Sequence, residues 1–320
     1  MIEYEDNNIF VFKGVMPHVN KSDKYIVLFF IVLLSVLRII FSGCDSCYTT
    51  KCPAVFRSLI TKYKLGPKKK VSKMSESMWY FIWHTSSCLY TFKLLLKEYG
   101  TAKNPGWVSY FMKDLKGIWF FAEDIHQVTN KIAAWPELHI NMETRIFLLM
   151  CTGFWISCLI FIRWETRRSD TNIMTFHHIT TTTLLILSYI YNFHRISLII
   201  IFLHDIPDVF LYLSKTYCYF TNRNELILSL CFVTYGLLHF VARFVLLLRY
   251  IAYPLLVNFD NFEYSGGTIK YLWDFPGGII CPISIVILTI MNAYWLKLIL
   301  ELFKKFIFDK EELRDTREDE

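Results

Sequence analysis

Long apolar runs separated by shorter polar segments make up most of this chain. A transmembrane helix needs about 20 mostly apolar residues, and seven of the runs come close to that length or exceed it. The seven runs are 25–41, 78–96, 145–162, 171–191, 196–214, 226–248 and 278–300. The pattern therefore predicts an all-α, polytopic membrane protein with about seven transmembrane helices.

The composition favours the same class. Of the 320 residues, 54% are hydrophobic and only 19% are charged, whereas soluble domains carry about 25% charged residues. A soluble enzyme, a disordered chain and a disulfide-stapled secreted module are thereby excluded. The net charge of +6 is modest, and no basic stripe interleaved with aromatic residues predicts binding to nucleic acid.

The first loop predicts the orientation of the chain. Between Lys51 and Lys73 it carries eight basic residues and no acidic one, which places it in the cytosol by the positive-inside rule. The N-terminus is then lumenal and, after seven crossings, the C-terminus is cytosolic. The first run lacks a small-residue cleavage site and is predicted to be a retained anchor. The sequon at Asn20 falls on the lumenal side, close to the membrane.

The chain divides into five predicted segments. They are a lumenal N-terminal tail at 1–24, a first transmembrane anchor at 25–41, a basic cytosolic loop at 42–73, a main domain at 74–303 and a charged cytosolic tail at 304–320. The tail after Phe308 is expected to be disordered because it is charged and has little apolar content. Three tryptophans in the 97–142 loop predict that this loop lies against the lumenal surface.

Ionisable residues gather in the fourth and fifth runs. Such groups cost about 2.5–3.5 kcal/mol inside a membrane and are candidate functional residues for that reason. The fourth run holds His177 and His178, and the fifth holds His204, Asp205 and Asp208. At about 100° per residue, most polar side chains of each run share one helical face.

The short 192–195 turn makes these two spans antiparallel, so that the depths of their residues can be compared. His178 is then level with Asp208, and His177 lies roughly 9 Å inside the cytosolic end. Two histidines that meet a carboxylate at one depth predict a reaction centre. A simpler alternative is that these are satisfied core groups, with Asp208 pairing with His204 one turn away. Pro207 is expected to kink the fifth helix.

Four segments in this part of the chain resemble the Lag-type motif of the TLC-domain ceramide synthases. They are 168–170, 177–181, 192–195 and 203–209, with smaller matches at 76–79, 135–136 and 292–295. The resemblance covers about residues 74–303. The chain departs from the family at Pro207, where members often have a small polar residue, and no homeobox-like segment precedes the motif.

The resemblance implies an acyltransferase of the endoplasmic reticulum membrane that joins a fatty acyl-CoA to the amine of a sphingoid base, forming ceramide. It implies a helical barrel around an acyl-chain tunnel, and no cofactor or metal. By motif position, His177, His178, Asp205 and Asp208 are the candidate catalytic residues. The candidate substrate-binding residues are Arg168, Asn192, Arg195, His204, Tyr212, Lys215 and Asn292.

The predicted depth of other polar residues in the membrane adds further candidates for substrate binding and for support of the site. Cations at the cytosolic rim are candidates for holding CoA phosphates; they are Arg163, Arg167, Arg168, Lys215 and Arg223. Asn292 and His84 fall near the reactive depth and are candidate supporting residues. Arg243 and His239 are placed toward the lumenal end of the sixth run, too far from the centre for either role.

Two mechanisms remain open for the reaction. A neutral imidazole can act as general base on the attacking amine, with a carboxylate fixing its tautomer. Alternatively, one histidine attacks the thioester and carries the acyl group before the amine accepts it. The adjacent pair His177 and His178 suits either mechanism.

Three other functions compete with this interpretation. A metal-dependent hydroxylase would need repeated histidine boxes, and this chain has one HH pair. The cysteines Cys44, Cys47 and Cys52 lack a fourth nearby zinc ligand. A non-catalytic lipid-binding or transport protein, or a regulatory subunit of a synthase complex, is the stronger alternative. Membrane lipid and a homo- or hetero-oligomeric partner are compatible with any of these functions, and acyl-chain length is not readable from the pattern.

Overall fold

A computed structural model describes residues 19–43, 54–99, 121–123, 132–134, 140–165, 168–257, 262–264 and 267–308. Eight helices dominate this part of the chain. They are α1 (Asp23–Phe41), α2 (Val55–Lys62), α3 (Val71–Tyr99), α4 (Met142–Phe161), α5 (Thr171–Ile190), α6 (His194–Cys218), α7 (starting as Glu225–Phe240) and α8 (Pro276–Phe308).

Helix α7 changes its winding along its length. After Phe240 it continues through two π-helical segments, Val241–Leu246 and Leu248–Ala252, and ends with the α-helical segment Tyr253–Val257. Segments of this kind widen the helix locally and occur often at functional sites. Short 3₁₀ turns at Lys68–Lys70 and Leu272–Asp274 precede α3 and α8.

Two small antiparallel hairpins lie outside the helical bundle. In one, β1 (Phe121–Glu123) pairs with β2 (Ile132–Ala134), and in the other β3 (Phe262–Tyr264) pairs with β4 (Gly267–Ile269). Each strand has three residues, so the hairpins do not change the fold class.

Six of the described helices are long and apolar enough to cross a membrane: α1, α4, α5, α6, α7 and α8. The second predicted run forms α3, which is 29 residues long and carries more polar residues than the other six. The prediction of an all-α, multi-pass membrane protein with roughly seven spans is confirmed. The tryptophans of the 97–142 loop, the cysteines at 44–52 and the tail after Phe308 lie outside the described residues.

Apolar residues are distributed over the bundle as expected for a protein in lipid. Phe147, Leu198 and Leu288 are buried between the helices, while Leu230 and Ile290 are largely exposed on its outer surface. Contiguous exposed apolar surface of this extent indicates contact with a membrane rather than with water.

Helix α1 belongs to this bundle and packs closely on α4. A Cβ atom at Gly153 would lie 2.8 Å from Cβ of Phe30, and small residues allow such close approach between membrane helices. At the start of α1, Asp23 pairs with Arg145 at 2.5 Å and accepts a hydrogen bond from the Tyr189 hydroxyl at 2.7 Å. The helix is therefore fixed to both α4 and α5.

The end of α1 is fixed by a second polar cluster. The buried Arg38 side chain donates to the carboxylate of Glu165, which also accepts from the Tyr80 hydroxyl. Burial opposes ionisation of Glu165, but the charges of Arg38 and Arg168 outweigh it and hold the pKa of this carboxyl at about 2. Glu165 is therefore an anion at neutral pH.

Candidate active site

Two cavities inside the bundle meet at His177. The first, called the polar cavity, is lined by cations and aromatic residues, including Arg168, Lys215, Arg243, His84 and Tyr212. The second, called the apolar cavity, is lined mainly by side chains of α5 and α6, among them Leu184, Leu185, Ile200 and Ile201, and by Leu288 of α8. His177, Trp155 and Asp208 line both, so the two cavities share one wall.

The histidine pair lies in the N-terminal half of α5. The ring centroids of His177 and His178 are 5.7 Å apart, and both side chains are buried. Trp295 and Trp155 meet the His177 ring edge to face, with centroids at 5.2 and 5.8 Å. Nδ1 of each histidine has no hydrogen-bond partner among the described residues.

The first carboxylate of the α6 motif pairs with a histidine of another helix. Nδ1 of His84, on α3, lies 2.7 Å from Oδ1 of Asp205, and both side chains are buried. The His84 ring stacks on Tyr212 at 5.3 Å. The sequence placed His84 near the reactive depth, but not in contact with Asp205. An ionisable residue inside a span was the available signal.

The second carboxylate pairs with an arginine that the sequence analysis set aside. Nη2 of Arg243 lies 2.6 Å from Oδ1 of Asp208 and also donates to the His204 carbonyl at 2.9 Å. The expectation that Arg243 lies too far from the centre is wrong. Helical side chains tilt toward the N-terminus of their helix, and this long side chain reaches back from the π-helical segment to Asp208. His239, which lines neither cavity, faces the Asn292 carbonyl at 3.2 Å.

These contacts correct the expected histidine–carboxylate arrangement. Asp205 and Asp208 are occupied by His84 and Arg243, and neither fixes the tautomer of His177 or His178 through Nδ1. The prediction that His178 and Asp208 lie at one level nevertheless agrees with the structure, because both residues line the polar cavity.

Several predicted substrate-binding residues line the cavities. Arg168, Tyr212 and Lys215 line the polar cavity. The Arg168 side chain lies 3.5 Å from the Glu76 carboxylate, and the Lys215 ammonium lies 5.9 Å from the centre of the Tyr212 ring. His204 lines the apolar cavity, with its ring centroid 6.5 Å from that of His177. Three rim candidates do not join them. Arg163 is exposed and lines neither cavity, Arg223 pairs with Glu225, and Arg167 lies outside the described residues.

Asn192 and Arg195 are not brought to the site. They lie at the α5–α6 turn, four helical turns or about 22 Å along α5 from His177. Asn192 adopts a left-handed backbone conformation with φ of 60°, and its side chain bonds to Nδ1 of His194 at 3.0 Å. The 192–195 segment therefore shapes a tight turn.

Asn292, on α8, lines neither cavity. Its Oδ1 atom lies 3.4 Å from Nη1 of Arg243.

The described residues contain no group of three or more histidine, cysteine and acidic side chains arranged to hold a metal ion. The site places two imidazoles, each with an unpartnered Nδ1 atom, next to three cations and the apolar cavity. Such an arrangement suits acyl transfer, in which a nucleophile or base acts next to a bound anion and an alkyl chain.

Together the helices and this site define a multi-pass membrane protein whose reactive groups lie inside the bundle. Comparison with known proteins identifies the family: the TLC domain model matches residues 73–301, and the chain belongs to that family.

Curated relatives of this chain are similar over most of its length. It is 28% identical over 314 residues to the tomato (Solanum lycopersicum) protein named Alternaria stem canker resistance protein 1, covering 93% of this chain and 90% of the relative. It is 28% identical to ceramide synthase LOH1 of Arabidopsis thaliana, covering 78% and 74%. Ceramide synthase 1 of Homo sapiens is also 28% identical, with 82% and 69% covered.

Proposed function

We propose that this protein is a ceramide synthase, which transfers a fatty acyl group from acyl-CoA to the amine of a sphingoid base. The observation that carries the proposal is the meeting of the polar and apolar cavities at His177. An acyl-CoA has the same division, with a polyanionic carrier and an alkyl chain joined at the reactive thioester. Relatives that bear the name ceramide synthase support the same reaction.

The polar cavity suits the carrier end of the substrate. Arg168, Lys215 and Arg243 line it, and charge-assisted hydrogen bonds from such cations hold phosphate groups well. In this proposal the cavity faces the cytosolic side of the endoplasmic reticulum membrane. The CoA group then stays in water while the acyl chain enters the apolar cavity.

Two versions of the reaction fit the histidine pair. In the first, His177 or His178 takes a proton from the sphingoid amine, whose nitrogen attacks the thioester carbon. The C–S bond then breaks and the histidine passes that proton to the sulfur, so that CoA leaves as its thiol. In the second, an imidazole nitrogen attacks first and CoA leaves as its thiol. The amine then forms the C–N bond as the acyl–imidazole bond breaks.

Rapid trapping of the enzyme during turnover separates the two versions. Mass spectrometry of quenched protein should find an acyl group on His177 or His178 if the covalent route operates. An absence of acylated histidine while ceramide accumulates contradicts that route and leaves the general-base route.

An acyltransferase assay tests the proposed function itself. Membranes that lack other ceramide synthases receive the protein, sphinganine and a series of acyl-CoAs. Wild type should form ceramide, and His177→Ala and His178→Ala should each reduce the rate at least about 100-fold. His239→Gln is the matched control, because His239 is buried but lines neither cavity. Folded wild-type protein that forms no ceramide would instead favour the lipid-binding or subunit role.

A further inference from the structure

Three residues that line the apolar cavity near His177 each carry a buried polar atom without a hydrogen-bond partner among the described residues. The atoms are Nε2 of His204, Oδ2 of Asp205 and Oγ1 of Thr181. His204 is 8% exposed and Asp205 is 3% exposed. An unpaired polar atom in such surroundings is unfavourable, so this end of the cavity is suited to a ligand that carries polar groups.

The hydrogen bonds that His204 and Asp205 already make determine which polar groups the ligand must carry. Nδ1 of His204 lies 2.9 Å from the Ile200 carbonyl oxygen, which can only accept, so Nδ1 carries the proton. In a neutral imidazole, Nε2 is then an acceptor. Oδ1 of Asp205 is occupied by His84, which leaves Oδ2 as a second acceptor. These two atoms, called the acceptor pair, require a donor on the ligand.

Building on the proposed function, we infer that the acceptor pair binds the sphingoid base, with one hydroxyl group of the base donating to Nε2 of His204. A sphingoid base carries its amine between two carbons that bear hydroxyls, so a hydroxyl lies next to the reacting nitrogen. The His204 and His177 ring centroids are 6.5 Å apart. A hydroxyl held at His204 thus leaves the neighbouring amine close to His177.

Thr181 completes this subsite. Its hydroxyl can donate as well as accept, and it lines the same cavity on α5, one turn from His177. The subsite orients the amine toward the histidine pair and selects bases with a hydroxyl beside the amine. A simple alkyl amine leaves the acceptor pair unpaired and is a poor substrate.

Substrate analogues test this inference. With palmitoyl-CoA as acyl donor, kcat/KM is measured for sphinganine and for two analogues in which the C1 or the C3 hydroxyl is replaced by hydrogen. In wild type, at least one analogue should react about 10- to 100-fold more slowly than sphinganine. In His204→Phe, which lacks the acceptor, that ratio should fall to about one. In His204→Gln, which restores an acceptor oxygen, it should partly return.

A matched variant separates recognition from folding. His239→Phe changes a buried histidine outside both cavities and should preserve the wild-type ratio even if the amount of folded protein falls. Equal rates with all three bases in wild type overturn the inference, as does a penalty that persists in His204→Phe. A His204-dependent preference for 2-hydroxypalmitoyl-CoA, without an effect of the base hydroxyls, assigns the subsite to the acyl chain and overturns it too. Failure of wild type to acylate any base overturns the proposed function as well.

Discussion

Single residues of α3 and α7 hold the two carboxylates of the α6 motif in place. His84 and Arg243 lie far from the α6 motif in the sequence. His84 nevertheless hydrogen-bonds to Asp205, and Arg243 hydrogen-bonds to Asp208. A buried carboxylate that loses its donor is destabilising and free to move. The positions of both acids in the cavity walls therefore depend on residues outside the motif.

Replacement of His84 should show this dependence. His84→Leu removes the donor to Asp205 and should destabilise the protein by about 1–3 kcal/mol. His84→Asn places an amide donor near the position of Nδ1 and should recover most of the stability. Thermal unfolding in detergent compares the two variants. Equal melting temperatures for His84→Leu and wild type would contradict a positioning role for this residue.

The ion pair between Arg243 and Asp208 permits a double-mutant cycle. Arg243→Leu leaves the Asp208 carboxylate without its cation and should cost about 2–4 kcal/mol, slightly less than a fully buried pair because Asp208 retains some exposure. Adding Asp208→Asn should recover part of this loss, since the uncompensated charge is gone. Additive losses measured in unfolding experiments would show that the two residues are not coupled.

At the scale of helices, α5 and α6 set the length of the apolar cavity. The Ser197 hydroxyl donates to Oγ of Ser188 at 2.6 Å and joins the two helices; both serines line the cavity. Ser188 lies three helical turns, or about 16 Å, from His177. An extended chain advances about 1.2 Å per bond, so in the proposed reaction an acyl group of about 14 carbons held at His177 would reach these serines.

Bulky substitutions along α5 should therefore change acyl-chain preference in a graded way. Leu184→Phe, two turns from His177, should favour distinctly shorter acyl-CoAs, and Ser188→Phe should produce a smaller shift in the same direction. Ile186→Phe is the control because Ile186 is exposed on the outer surface. The readout is the ceramide product profile from an equimolar acyl-CoA mixture. Identical profiles in all three variants would contradict this cavity as the acyl site.

The sequence predicted the helices better than the contacts between them. Apolar runs determine where a span forms, and the antiparallel α5–α6 turn correctly placed His178 and Asp208 in one cavity. The sequence analysis estimated depth from a uniform rise per residue, and this estimate put Arg243 too far from the site. Hydropathy shows neither the π-helical winding around Arg243 nor the reach of its long side chain. The pairing of His84 with Asp205 depends on how α3 packs on α6, which local sequence does not specify.

At the scale of the whole molecule, one end of the bundle gathers the basic first loop and two of the cations that line the polar cavity. The backbone N–H of Thr221, in the α6–α7 turn, donates to the Leu65 carbonyl at 2.8 Å, which ties the basic first loop to that end. Arg168 and Lys215 line the polar cavity, one beside the start of α5 and the other in the last turn of α6. The positive-inside rule predicts that this end faces the cytosol.

Glycosylation tags test that orientation. A tag fused ahead of Met1 should be glycosylated in the endoplasmic reticulum, and one fused behind Glu320 should not. Asn20 itself should stay unmodified, because it lies only three residues ahead of α1 and therefore close to the membrane. Gel shifts with and without glycosidase give the result. Modification of the C-terminal tag would reverse the assigned orientation.

Arg38 shows that the evolutionary boundary of the domain does not mark a folding unit. The family match begins at residue 73, yet Glu165 within it takes one of its two neighbouring cations, Arg38, from α1 ahead of that boundary. A fragment cut at residue 73 would keep Arg168 but lose the charged hydrogen bond from Arg38, a loss of about 1–3 kcal/mol against a total stability of only about 5–15 kcal/mol. A fragment of residues 73–301, expressed alone or fused to another protein, would therefore be less stable than the same residues in the full chain.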